Sequence, residues 1–210
     1  MADPITDPKQ AGERLLQFVR EGRLVQGVWH GEEGGREIAC HLGAAAGVSS
    51  PDQCPASLLP GWLAHALPSL FDGQTPAHAQ TFARRWGEAM VRPEWTNIDW
   101  YAVRGEWLAF IVKQAKDAAD ANVSGHASLA AAAALYAAAD AVAVAVTNIY
   151  YAPRYVADAA SCAADAAARV AFYPASSFIA RTASYEAARN AQADALVGAI
   201  EQAMEKARRG

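Results

Sequence analysis

The chain has 210 residues, of which 53% are hydrophobic and 19% charged, and a formal net charge of −4. A chain of this length holds a core without disulfides or a metal, and its mildly acidic balance argues against non-specific binding to nucleic acid or to an anionic membrane. The three cysteines, Cys40, Cys54 and Cys162, lack a paired CxxC spacing, and the polar start of the chain does not resemble a signal peptide. A reducing cytoplasm is therefore the expected location.

Helix start and stop signals recur through the first half of the chain. Asp7-Pro8 combines a cap residue with proline at the first helical position and predicts a helix that ends near Gly22. Leu24 to His30 is expected to be extended or irregular. After several glycines, a helix is predicted over residues 36–46.

Proline and glycine divide the next hundred residues into further helices. Cys54-Pro55 predicts a helical segment that Pro60 interrupts or restarts and that ends at Pro68 and Gly73. Helices are also predicted from Thr75-Pro76 to Pro93, over residues 97–121, and after Ser176 or Ser177.

An alanine-rich stretch from Ser128 to Phe172 predicts two long helices broken near Pro153, because alanine is the best helix former. Eighteen residues with one charge, Asp140, satisfy a crude length rule for a membrane span. Alanine contributes little to insertion, however, and a central aspartate opposes it, so buried helices outside the membrane are the better interpretation. Asp140 itself is either exposed or hydrogen-bonded by a tyrosine.

These patterns predict an all-α protein with a single domain over residues 1–210 and about seven to nine helices. All six tryptophans precede residue 108, and the alanine run follows residue 127. We therefore expect an aromatic-rich half, residues 1–123, to pack on an alanine-rich, close-packed helical half, residues 124–210.

The densest cluster of chemically active residue types lies over residues 29–37. Its glycines and Arg36 are typical of an anion-binding turn, which the neighbouring glutamates oppose. Alternatively, His30, Glu33 and Glu37 are candidate metal ligands, although no fourth ligand of matching spacing is visible. A structural turn is the simplest interpretation, and no metal or cofactor is expected.

Cys54 is the candidate nucleophile. It precedes a predicted helix start, where the helix dipole lowers the pKa of a thiol, and His41 or His65 is a candidate base nearby. The alternative is a small buried side chain, since free cysteine is among the most buried residue types.

The N-terminal third also carries a resemblance, spread over residues 29–42 and 52–65. The matching runs are Trp29-x-Gly31, Gly35-Arg36-Glu37-Ile38-Ala39-Cys40-x-Leu42, Asp52-x-Cys54-Pro55-Ala56-Ser57 and Pro60-x-Trp62-Leu63-Ala64-His65. This pattern resembles the opening of uncharacterised alanine-rich bacterial proteins, often found among phage-derived genes. The resemblance implies a cytoplasmic bacterial or prophage setting and supplies no catalytic residue.

Together these observations predict a cytoplasmic interaction or regulatory protein, phage-encoded and acting on a host factor. Trp29, Trp62 and Trp95 lie in or beside predicted loops, and with Arg36 they are the candidate partner-binding residues. A homo-oligomer is an alternative assembly. The competing hypothesis is a small hydrolase or thiol-dependent enzyme that uses Cys54 or the group His30, Glu33 and Glu37.

Overall fold

The computed structural model describes residues 3–120 and 178–209, which contain six α-helices and one small sheet. The helices are α1 Pro8–Arg20, α2 His41–Ala46, α3 Gly61–Asp72, α4 Pro76–Met90, α5 Trp100–Asp120 and α6 Phe178–Arg209. The strands are β1 His30–Glu33 and β2 Arg36–Ala39, and Pro51–Gln53 and Pro93–Asn97 form short 3-10 helices. The predicted helical class is confirmed, whereas the sheet was not predicted.

Helix α1 begins where its sequence signal predicts. The Asp7 carboxylate accepts a hydrogen bond from the Gln10 backbone N–H at 2.7 Å, which satisfies one of the free donors at the helix start. The helix packs closely on α4, because a Cβ added to Gly12 would lie 2.8 Å from the Gly87 carbonyl oxygen. Glycine at this crossing therefore lets the two backbones approach.

The helix predicted over residues 36–46 is wrong in its first part, which forms a β-hairpin. Gly34 and Gly35 have φ values of 59° and 76°, as a two-residue hairpin turn requires. The strands pair antiparallel, with His30 opposite Ala39. On its other side, the Ala39 backbone donates to the Arg23 carbonyl and accepts from the Val25 N–H, so pairing on two sides holds β2 extended. Only residues 41–46 are helical.

The prediction for residues 54–73 also needs correction. Cys54 to Pro60 forms turns rather than a helix, and α3 begins after Pro60 and runs through Pro68 to Asp72. Proline inside a helix removes one backbone hydrogen bond. Burial of residues on both sides of it, among them Leu63, Leu67 and Leu70, offsets that loss.

Helices α4, α5 and α6 confirm the remaining predicted helices among the described residues. Helices α4 and α6 are joined at the surface by Arg85, whose guanidinium contacts the carboxylates of Asp194 and Glu201 at 3.1 Å. Helices α5 and α6 meet in the core, where the Trp107 indole N–H donates to the Gln192 carbonyl at 3.0 Å. None of the described helices combines the length and apolarity needed to cross a membrane. The two alanine helices and Asp140 lie outside the described residues.

Candidate functional site

The carboxylate of Glu37, on β2, is the centre of a cluster of charged residues at the surface. Arg14 of α1 contacts one of its oxygens at 3.0 Å, and Arg23 contacts the other at 3.1 Å. The His30 ring lies 3.5 Å from the same carboxylate and forms a hydrogen bond with the Val48 carbonyl at 2.9 Å. Glu37 thus joins α1, the loop after it and the hairpin.

Further contacts fix the two arginines in place. The Nη2 atom of Arg14 makes the contact with Glu37, and its Nη1 atom donates to the carbonyls of Gly43 and Ala44 in α2. Arg23 donates to the Glu37 carbonyl and to the carboxylate of Glu21. The hydrogen bond from Arg23 is the main reason why the pKa of Glu21 is lowered. Both guanidinium groups are therefore held by bonds on more than one side.

Phe18, which is buried, lies beneath both arginines. The guanidinium carbons of Arg14 and Arg23 lie 4.8 Å and 4.0 Å from the centre of its ring. This distance is typical of a cation stacked on the face of an aromatic ring. The side chains of Arg14 and Arg23 keep 25% and 15% of their surface exposed, so part of each group remains accessible.

An open groove of about 610 Å³ runs along this cluster, and we call it the arginine groove. Three arginines and two glutamates line it, which makes it locally more positive than the chain as a whole. Arg20, at the end of α1, is exposed and has no ion-pair or hydrogen-bond partner among the described residues. The full lining is Ile5, Gln10, Glu13, Arg14, Gln17, Phe18, Arg20, Arg23 and Glu37.

Of the three candidate metal ligands, the structure brings His30 and Glu37 together but not Glu33. His30 and Glu37 lie on one face of the hairpin, whereas Glu33, which pairs with Arg36, lies on the other because side chains alternate along a strand. Within residues 3–120 and 178–209, no group of three or more histidine, cysteine, aspartate or glutamate side chains is arranged to hold a metal ion.

The surroundings of the candidate nucleophile Cys54 differ from those predicted. It lies at the end of a 3-10 helix rather than at the start of an α-helix, and its side chain packs against the core. Burial raises the pKa of this thiol to about 12, opposite to the predicted direction.

The two candidate bases lie in different surroundings. The Nε2 atom of His65 lies 3.0 Å from the carboxylate of Asp52. His41, in contrast, is only 1% exposed at the start of α2. Its ring is surrounded by Phe71, Phe82 and Trp86, with ring centres 5.8, 5.4 and 5.3 Å away, and we call this arrangement the His41 cage.

Two of the three candidate partner-binding tryptophans are buried. Trp62 and Trp95 are 5% and 2% exposed, so both pack in the core although they were predicted to lie in or beside loops. Trp62 lies in α3, and Trp95 packs between Trp86 and Trp100 and donates to the Leu58 carbonyl at 3.2 Å. Trp29 packs partly on the core.

Arg36 is exposed and donates to the Glu21 carbonyl at 2.9 Å. Its backbone belongs to β2, directly after the hairpin turn, so it does not stand at a helix start as an anion-binding turn would require. It remains a candidate surface residue for a partner.

A buried polar cluster was not predicted from the sequence. Arg189 of α6 is 1% exposed and donates to the Ser69 hydroxyl, the Gln192 side-chain oxygen and the Tyr185 hydroxyl at 2.9, 3.2 and 3.1 Å. Gln192 in turn donates to the Gln114 side chain at 2.6 Å. The cluster connects α3, α5 and α6 and lies near the end of α3, where the helix dipole favours a cation.

Comparison of the chain with family models, with curated proteins and with solved structures found no match.

Proposed function

We propose that this protein is an interaction protein that binds a carboxylate-bearing segment of a partner protein in the arginine groove. The observation that carries the proposal is the double stacking of Arg14 and Arg23 on Phe18. Arginine is enriched at binding hot spots. The planar group of Arg20, which lines the same groove, can recognise a carboxylate with two parallel hydrogen bonds.

The fixed geometry of the groove supports this proposal. Contacts to Glu37 and to backbone carbonyls hold Arg14 and Arg23, so little side-chain freedom is lost when a partner binds. Arg20 adds an exposed cation at the same groove, and its donors have no partner among the described residues. A partner carboxylate would pair with Arg20, and the neighbouring positive charges of Arg14 and Arg23 would add to the attraction.

The proposal also includes the domain organisation, the cellular location and the source of the partner. We infer a single helical domain of seven to nine helices that acts in the cytoplasm, because the cysteine spacing suits a reducing compartment. The resemblance of the N-terminal third makes a host-cell protein the expected source of the bound segment, in a phage-derived regulator. Self-assembly through the groove is the alternative, and light scattering at increasing protein concentration would reveal it.

A peptide selection tests the proposal. A random peptide library displayed on phage is selected on the full-length protein, and aspartate- or glutamate-containing peptides are expected to be enriched. Arg20→Glu should weaken binding of a selected peptide by about tenfold or more, the equivalent of about 1.4 kcal/mol. Arg84→Glu is the matched control, because Arg84 is an exposed arginine of α4 outside the groove. Enrichment without acidic residues, or equal effects of the two variants, would overturn the proposal.

The thiol-enzyme alternative retains one supporting observation, the contact between His65 and Asp52. A carboxylate in this position orients an imidazole as a general base. Thiol labelling at pH 7.5 tests whether Cys54 is a reactive nucleophile or a buried side chain. With its pKa raised to about 12, Cys54 should react far more slowly in the folded protein than in urea. Faster labelling of Cys54 in the folded protein would favour the enzyme.

A further inference from the structure

His41 is a buried titratable side chain that makes no polar contact within the described residues. Neither ring nitrogen has a hydrogen-bond partner there, and three aromatic rings of α3 and α4 surround it. A neutral imidazole tolerates such a site at a moderate cost. A protonated imidazole carries a charge and two donors, and burying an unpaired charge is far more costly.

The charged and titratable groups on the elements packed against α2 are directed elsewhere. Asp72, at the end of α3, accepts a hydrogen bond from the Gly27 N–H at 2.8 Å. Cys40, which precedes His41 in the chain, has a thiol whose pKa is raised by burial. The others are exposed or contact partners other than His41: Lys9, Glu13, Arg14 and Arg20 on α1, Arg36 and Glu37 on β2, His65 on α3, and His78, Arg84, Arg85 and Glu88 on α4. Burial alone lowers the pKa of His41 to about 3.

We propose that His41 makes the docking of α2 sensitive to acid, so that protonation of its imidazole expels the ring from the His41 cage and releases α2 from α3 and α4. Helix α2 has six residues, and its Gly43 and Ala44 carbonyls hold Arg14. Release of α2 therefore also removes an anchor of the arginine groove. The consequence for partner binding rests on the proposed function, whereas the acid response of α2 does not.

The direction of the pH dependence follows from proton linkage. In the released state His41 titrates near its ordinary pKa of 6.5, and in the cage it resists protonation down to about pH 3. The free energy that favours docked α2 is therefore at its full value above pH 6.5, and it decreases progressively as the pH falls from 6.5 towards 3. Between pH 6 and 4.5, the equilibrium constant for release should rise about tenfold per pH unit, the effect of one proton.

Cys40 provides a local probe, because it is 5% exposed and directly precedes His41. The folded protein is labelled with a disulfide reagent that reacts in acid, and peptide mapping by mass spectrometry identifies the labelled cysteine. Rates are divided by those of the urea-unfolded chain at each pH. We expect the protection of Cys40 to fall about tenfold per pH unit from pH 6 to 4.5 in the native protein. In the His41→Phe variant, the phenylalanine ring cannot take up a proton, so the protection of Cys40 should stay nearly constant over this pH range.

His65→Gln is the control, since His65 lies outside the cage, and it should leave the native pH dependence unchanged. If His41→Phe does not fold, titration of the native His41 ring by NMR replaces it. The ring is expected to stay neutral between pH 8 and 5. A His41 ring that titrates near pH 6.5 in the folded protein, or Cys40 protection with the same pH dependence in His41→Phe, would overturn the proposal.

Discussion

His41 and Arg189 are both 1% exposed, yet their surroundings are opposite. The walls of the His41 cage are aromatic rings, and neither imidazole nitrogen has a polar partner among the described residues. Arg189 donates to three side-chain oxygens from α3 and α6. The chemistry of the two side chains explains the difference.

Imidazole becomes neutral by losing a proton, so it can be buried without a partner and burial lowers its pKa. Guanidinium keeps its charge in proteins, so its burial requires acceptors around it. A buried polar group is thus tolerated either by neutralisation or by hydrogen bonding. The two solutions should respond differently to mutation and to pH.

The largest effect is expected from removal of the Arg189 guanidinium. Arg189→Met keeps much of the buried volume but leaves the oxygens of Ser69, Gln192 and Tyr185 without this donor. Since a buried acceptor left unpaired costs about 1–3 kcal/mol, we expect the free energy of unfolding to fall by about 2–4 kcal/mol. Urea denaturation measures this loss.

Arg84→Met is the matched control for Arg189. Arg84 forms an exposed pair with Glu88, and such pairs contribute about 0–1 kcal/mol. Losses of similar size in the two variants would mean that the Arg189 cluster contributes no more than a surface ion pair.

A smaller effect is expected from tightening the packing next to the His41 cage. A Cβ added to Gly43 would lie 2.1 Å from the backbone oxygen of Trp29, which is held in the chain and cannot turn away. Gly43→Ala should therefore displace α2 and lower the free energy of unfolding by about 1–3 kcal/mol. Thermal unfolding at pH 7.5 is a suitable measurement.

Gly105 is the control for Gly43, because nothing lies within 4 Å of a Cβ added there. In the middle of α5, Gly105→Ala should instead stabilise the protein by about 0.5–1 kcal/mol, since alanine favours the helix. Stabilisation by both substitutions would show that α2 is loosely packed.

The helices were predictable where local signals decide the structure. In α1 and α4, a cap residue followed by proline sets the start, and both helices begin at that proline. The hairpin was missed because its Gly34-Gly35 turn is flanked by charged residues rather than by alternating apolar ones. Its extended conformation depends on backbone bonds to Arg23 and Val25, which no local pattern reveals.

The site residues were less predictable because their roles depend on distant contacts. Glu37 was grouped with His30 as a candidate metal ligand, and the structure adds Arg14 and Arg23 as its partners. His41 was one of two candidate bases for a thiol, whereas the rings that enclose it belong to α3 and α4. Arg189 carries no sequence signal at all, since an arginine on an alanine-rich helix is normally exposed.

The smallest effect separates two tryptophans that are equally buried. Trp86 and Trp107 are each 1% exposed, but the Trp107 indole donates to the Gln192 carbonyl, whereas the Trp86 indole nitrogen has no partner within the described residues. Substitution of either by phenylalanine removes the same atoms, so the cost of the lost volume should be similar. Only Trp107→Phe also removes a hydrogen bond, and it should therefore lower the free energy of unfolding by about 1 kcal/mol more than Trp86→Phe. Urea denaturation at pH 7.5, where His41 is neutral, measures the difference without a contribution from protonation of His41. A larger loss in Trp86→Phe would mean that the indole N–H of Trp86 is better hydrogen-bonded than that of Trp107. The His41 cage would then accommodate its polar groups by hydrogen bonding as well as by keeping His41 neutral.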